Sequence, residues 1–209
     1  LCYTSSVPHP RGISVLIGTI VKSNSHISYL CRVYGKLETD TVPESREYSF
    51  GTFVSFDPGD AGTRLVGVIR DTLLLNPDYG NLGPRLSNQR DLAVFSPDYL
   101  NETGVLVDVL VLGWLDGSRA YHSVPAPAAQ VGTVVETMTD GDVVNFHRDA
   151  QGRFLMGYLP QLMLHNDAMI AGLLLTVLER LAPSFPSQQQ VIAVLRNNLA
   201  WKARVVPAG

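Results

Sequence analysis

This chain is short of charge. Asp, Glu, Lys and Arg make up 17% of its 209 residues, against about 25% in an average soluble domain. Sixteen basic residues face nineteen acidic ones, for a net charge of −3 and a pI near 5.9. No basic run exists; the nearest thing is Trp201-Lys202-Ala203-Arg204. A protein that grips phosphate backbones shows a Lys/Arg excess or a basic stripe, so charge gives direct nucleic-acid binding no support. Cysteine is scarcer still. Cys2 and Cys31 fit neither a metal spacing nor a redox motif, and two reduced thiols in a cytosolic protein are the expectation, with a disulfide between them as the alternative. Long apolar runs are missing too. No basic-then-apolar leader opens the chain, and no stretch is long enough for a membrane span. An opening at Leu1 leaves a preceding native segment open, and the cytoplasm is the default compartment. Apolar residues, at 45%, are ordinary in number. Ordinary apolar content with little charge suits a chain that covers part of its surface with another subunit.

What is present is mostly short strands. After an irregular lead-in over residues 1–12, the run Ile13 to Val21 (ISVLIGTIV) is β-branched and apolar, and His26 to Tyr34 (HISYLCRVY) alternates. With Lys22-Ser23-Asn24-Ser25 as the turn, the two predict a β-hairpin. Tyr48 to Phe56 and Leu65 to Leu75 follow, separated by the turn Asp57-Pro58-Gly59-Asp60. The Gly-, Pro- and Asn-dense segment Asn76 to Tyr99 forbids a regular element and predicts a long loop. Gly104 to Leu115 is apolar on both faces and so the most buried strand. Ala120 to Pro127, Gln130 to Met138, Val143 to His147 and Gln151 to Leu159 read as the last extended pieces. After Pro160 the apolar period shifts from two to 3.6. Asp167 can cap a helix to about Leu181, and Ser187 a second one carrying Val191, Ile192, Leu195 and Leu199. The reading is a mainly β protein: a small antiparallel β-barrel over residues 13–160 with a loop at 76–99, and a C-terminal helical hairpin over 161–209.

Three stretches carry a family likeness. They are Ile17-Gly18-Thr19-Ile20-Val21; Tyr48-Ser49-Phe50-Gly51-Thr52-Phe53-Val54-Ser55-Phe56 with Leu65-Val66-Gly67-Val68-Ile69; and Val109-Leu110-Val111-Leu112-Gly113 with Val124-Pro125-Ala126-Pro127 and Leu155-Met156-Gly157-Tyr158-Leu159. Their order resembles the HerA–ATP synthase barrel, the small barrel of HerA-type DNA-translocating ATPases and rotary ATPase subunits. The resemblance implies a barrel that assembles or docks. HerA-type enzymes follow the barrel with a phosphate loop ending in Gly-Lys-Ser/Thr. This chain has none: Gly59-Asp60-Ala61-Gly62-Thr63-Arg64 lacks the lysine and precedes a strand, which argues against ATP hydrolysis.

No complete catalytic set is legible. His122, His147 and His165 could hold zinc with an acid only if the fold gathered them, the alternative being ordinary surface or packed histidines. Asp140-Gly141-Asp142 could offer two carboxylates, and reads more simply as a turn. No nucleophile elbow is present. The loop residues Asp78, Tyr79, Asn81 and Arg85 offer hydrogen-bonding groups and an aromatic ring for a ligand or partner, the alternative being a flap over a barrel end. The first C-terminal helix is apolar around more than half its circumference. Either the second helix covers the remainder or a partner does, with Met169, Leu173 and Val177 as the partner-facing set. The expectation is therefore a non-enzymatic barrel that assembles with itself or docks on a protein such as a HerA-type DNA-processing ATPase or nuclease, with no cofactor, metal or membrane. A small-ligand binder or enzyme using the 76–99 loop over the barrel mouth is the alternative.

Overall fold

The computed structural model describes residues 12–36, 38–59, 62–75, 104–164 and 167–205. Its strands are β1 (Leu16–Ser25), β2 (Ser28–Val33), β3 (Phe53–Phe56), β4 (Thr63–Leu75), β5 (Gly104–Asp116), β6 (Arg119–Tyr121) and β7 (Val134–Thr137). Six of them close an antiparallel barrel in the order β1-β2-β5-β4-β3-β7 and back to β1. The seventh, β6, extends β5 as a short hairpin arm. Closure explains the burial pattern. All four residues of β3, and Val107 through Gly113 of β5, are buried. A strand buried on both faces has barrel interior on one side and helical cover on the other.

Two glycines of the family likeness stand where strands come close. A Cβ on Gly18 would sit 1.8 Å from the Arg32 carbonyl oxygen across the β1–β2 pair, and one on Gly67 would sit 2.6 Å from Val109 Cγ1. Both positions border register shifts, Gly18 against β7 and Gly67 against β5. Local bulges of this kind bend strands enough to close a small barrel.

The helices begin earlier than the apolar period suggests. The barrel's last strand ends at Thr137, and Asp140–Phe146 is a helix, α1, rather than a turn followed by a strand over Val143 to His147. Thr139 decides this. Its side chain accepts from the Asp142 amide at 3.1 Å while its hydroxyl donates to Asp142 Oδ2 at 2.9 Å. Such a cap outweighs the β-branched pair Val143-Val144, because Val143, Phe146 and His147 then share one buried face at helical spacing. Nor is Gln151 to Leu159 a strand. It forms a single bridge, Arg148 with Phe154, and then enters a one-turn helix, α2 (Leu159–Leu162).

The long helix α3 (Ala168–Leu181) is fixed to the barrel near both ends. Asp167 caps it by accepting from the Met169 amide at 2.8 Å, and its other oxygen takes Arg70 of β4 at 3.2 Å. Arg70 also bonds Asp108 of β5 at 2.8 Å, and Asp108 in turn accepts from Ser28 of β2 at 3.1 Å. Near the other end Arg180 pairs with Asp140 at 2.6 Å and lies 5.5 Å over the Phe53 ring. Between these points Ile170, Leu173, Leu174, Val177, Leu178 and Leu181 are all buried. The chain then turns through Pro183 and Pro186, anchored by buried Phe185 packed edge-on against Phe154. It enters α4 (Gln189–Val205), preceded by a 3-10 turn over Pro186–Gln188 rather than capped by Ser187. Ile192 and Leu199 of α4 are buried, with Leu195 packed against the same core. The second helix therefore covers what the barrel leaves open on the first. Among the described residues no helix is long and apolar enough to cross a membrane.

Candidate functional site

The densest group of chemically versatile side chains lies where β6, α1 and α2 meet. His147 is wholly buried, its Nδ1 2.7 Å from the Val143 carbonyl and its Nε2 2.7 Å from the Tyr158 hydroxyl. A carbonyl only accepts, so Nδ1 carries the proton and Nε2 accepts from Tyr158. His122 has the other tautomer. Its Nε2 donates to the Phe146 carbonyl at 2.7 Å, and its Nδ1 accepts from the Gly157 amide at 2.9 Å. Phe53 and Phe146 pack edge-on against His147 at 5.3 and 5.1 Å. Burial pushes the His147 imidazole down to about 3, against the opposing pull of the Val143 carbonyl. Burial likewise lowers His122, with the Phe146 carbonyl opposing, and raises Tyr158 well above its ordinary value. Each ring is thus neutral with both nitrogens engaged. No lone pair faces a ligand and no proton is poised for transfer near neutral pH. The cluster is a polar clasp inside the core, holding the ends of α1 and α2 to β6.

Other titratable groups are similarly engaged. Cys31 is a buried free thiol, pushed up to about 12 by desolvation, which removes it as a nucleophile. Asp140 and Asp142, considered above as a carboxylate pair, serve Arg180 and the α1 cap. Among the described residues no three His, Cys, Asp or Glu side chains converge as a metal set. His165 and the loop set Asp78, Tyr79, Asn81 and Arg85 lie outside the described residues.

The C-terminal helices present the open surface. Of the expected partner-facing set, Leu173 and Val177 are buried in the protein's own core, and Met169 is half exposed. The exposed apolar face has moved outward by one helix. On α4, Val191, Val194 and Trp201 are 52%, 59% and 65% exposed. With Leu195, Asn198 and Lys202 they follow helical spacing along one side. At one end this stripe meets Leu159 and Met163 in a cavity of about 370 Å³, also lined by Leu199. It continues into a second depression of about 290 Å³ formed by Gln190, Val191, Val194 and Leu195. From Gln190 to Lys202 the groove runs about 18 Å at 1.5 Å per residue. Sequence periodicity assigned Val191, Ile192, Leu195 and Leu199 to one apolar stripe and left the other side of α4 polar, whereas Val191 is half exposed. The missed signal is Val194 and Trp201, two exposed apolar residues outside that stripe.

A closed six-stranded barrel with a helical cover defines a barrel module. The chain belongs to the family described as Domain of unknown function (DUF8166), whose model matches residues 4–208. No curated protein matches the chain.

Proposed function

We propose that the protein is a non-catalytic barrel module that assembles or docks through its helical cover. The exposed groove on α4 carries this reading. A monomer gains nothing from leaving Val191, Val194 and Trp201 in water, since each such side chain is worth about 1.5–3 kcal/mol when buried, and contiguous exposed apolar surface marks interaction sites. The engaged histidines and the buried thiol support the absence of chemistry in the described part. The closed barrel is consistent with the likeness to the HerA–ATP synthase barrel, which makes a HerA-type DNA-processing ATPase or nuclease the partner class to try first. On this reading the protein works in the cytoplasm without a cofactor or metal of its own and meets DNA only through its partner.

Size-exclusion chromatography with light scattering tests it, on the protein alone at high concentration and mixed with a purified HerA-type ATPase. A self-assembly or a stable hetero-complex is expected, lost on Val194→Glu. A 22.8 kDa monomer under both conditions overturns the reading.

A further inference from the structure

Resting on the docking reading above, we infer that the α2–α4 groove receives an amphipathic helix of a partner protein, one carrying acidic residues beside its apolar anchors.

The shape of the groove selects a helix. Its length of about 18 Å matches some twelve helical residues, and anchors at i, i+4 and i+7 reach both depressions. The larger cavity is walled on one side by Leu159 and Met163 and on the other by Leu195, Leu199 and Trp201. That gives an apolar trough with Trp201 at its end, a residue type enriched among interface hot spots. Asn198, in the lining of the larger cavity, supplies one polar group for register.

Charge selects the partner's sign. Over α4, Gln189–Val205, the sequence holds three cations, Arg196, Lys202 and Arg204, and no acid. The rest of the chain therefore has thirteen cations and nineteen acids, a net charge of −6 within the overall −3. Lys202 lines the groove at the Trp201 end. An incoming carboxylate beside it finds attraction with no nearby acid on α4 to repel it, and steering of this kind sets specificity and on-rate. A second copy of α4 in the same position would instead bring two acid-free cationic helices together. A lipid surface would need a convex apolar face on the helix, whereas the larger cavity is walled by α2.

A displayed library of helical fourteen-residue peptides, selected against the intact protein, tests the inference. The expected pool is amphipathic and rich in Asp or Glu. Its members should lose at least tenfold in affinity on Val194→Glu or Trp201→Ala and turn to Lys-flanked helices on Lys202→Glu. Both Val194 and Trp201 are more than half exposed, and thermal melts verify that the variants fold. A pool without acidic bias, binding that survives both substitutions, or no enrichment overturns the inference. A homodimer lost on Val194→Glu assigns the groove to a second copy and leaves the docking reading standing. Cosedimentation with phosphatidylglycerol vesicles, abolished by Trp201→Ala, assigns it to a membrane and overturns both. A monomer that binds no helix, no ATPase and no vesicle also removes both.

Discussion

Replacing His147 with Gln should flatten the protein's stability profile in mild acid. In the fold His147 is wholly buried and held down to about 3, against an ordinary value of 6.5. Below pH 6.5 the unfolded chain therefore binds a proton that the folded chain refuses. The stability from this residue is complete above pH 6.5 and is lost as pH falls toward 3. At 1.36 kcal/mol per pH unit, the full window of about 3.5 units sets a ceiling near 5 kcal/mol. Between pH 7.5 and 5.0 the loss is about 2 kcal/mol, a sizeable part of the 5–15 kcal/mol typical of a domain. Gln keeps an acceptor for the Tyr158 hydroxyl, does not titrate, and leaves the Val143 carbonyl without its donor. The variant should thus be less stable at pH 7.5 by about 1–3 kcal/mol, yet lose about 2 kcal/mol less than the parent on going to pH 5.0. Urea unfolding followed by circular dichroism at pH 7.5, 6.5, 5.5 and 5.0 measures both quantities. Carboxylate titration is common to both proteins and cancels in the comparison. Parallel stability curves for parent and variant would refute a neutral, desolvated His147. The lowered His122 acts in the same direction, so His122→Gln should flatten the profile further.

Other substitutions test the barrel and its cover. Gly18→Ala places a methyl group 1.8 Å from the Arg32 carbonyl oxygen, so β1 and β2 must part; the loss should exceed about 3 kcal/mol, seen as a thermal midpoint about 6–12 °C lower. Asp167→Ala removes both the α3 cap and an Arg70 partner and should cost about 1–2 kcal/mol or more. Asp167→Asn retains the acceptor for the Met169 amide and should recover most of the cap share, measured by chemical denaturation. Leu173→Ala should cost about 2–5 kcal/mol by opening a cavity between α3 and the barrel; an effect below 1 kcal/mol would contradict its burial. In a Cys2→Ser background, the Cys31 thiol should stay unmodified by a disulfide reagent in native buffer and react once urea unfolds the chain.

Strand identity was legible along most of the chain because burial leaves a local signature. The doubly apolar run of β5 announced a strand covered on both sides, and Gly18 and Gly67 stood where barrel strands approach closely. The Asp167 cap and the α3 stripe were equally local, since capping and periodicity act within a few residues. The helix at Asp140–Phe146 escaped although its Thr139 cap is local, because the β-branched pair Val143-Val144 favours a strand and the burial of Val143, Phe146 and His147 on one face depends on distant packing. The C-terminal surface was harder. Whether Leu173 and Val177 met a partner or the protein's own core depended on where α4 lay, and periodicity carries no direction between elements.

By itself the sequence determined a mainly β chain with strands closing toward a barrel, a helical end, and no phosphate loop or nucleophile motif. These follow from patterns of period two and 3.6 and from residue types that chemistry requires at fixed spacings. Only the tertiary structure decided the rest. It closed β1 on β7 across more than a hundred residues. It locked His122 and His147 into opposite tautomers as a core clasp, and it turned the apolar face of α3 inward while leaving a groove on α4 open. Each depends on long-range packing: which groups lose water is settled by the elements that arrive from elsewhere in the chain.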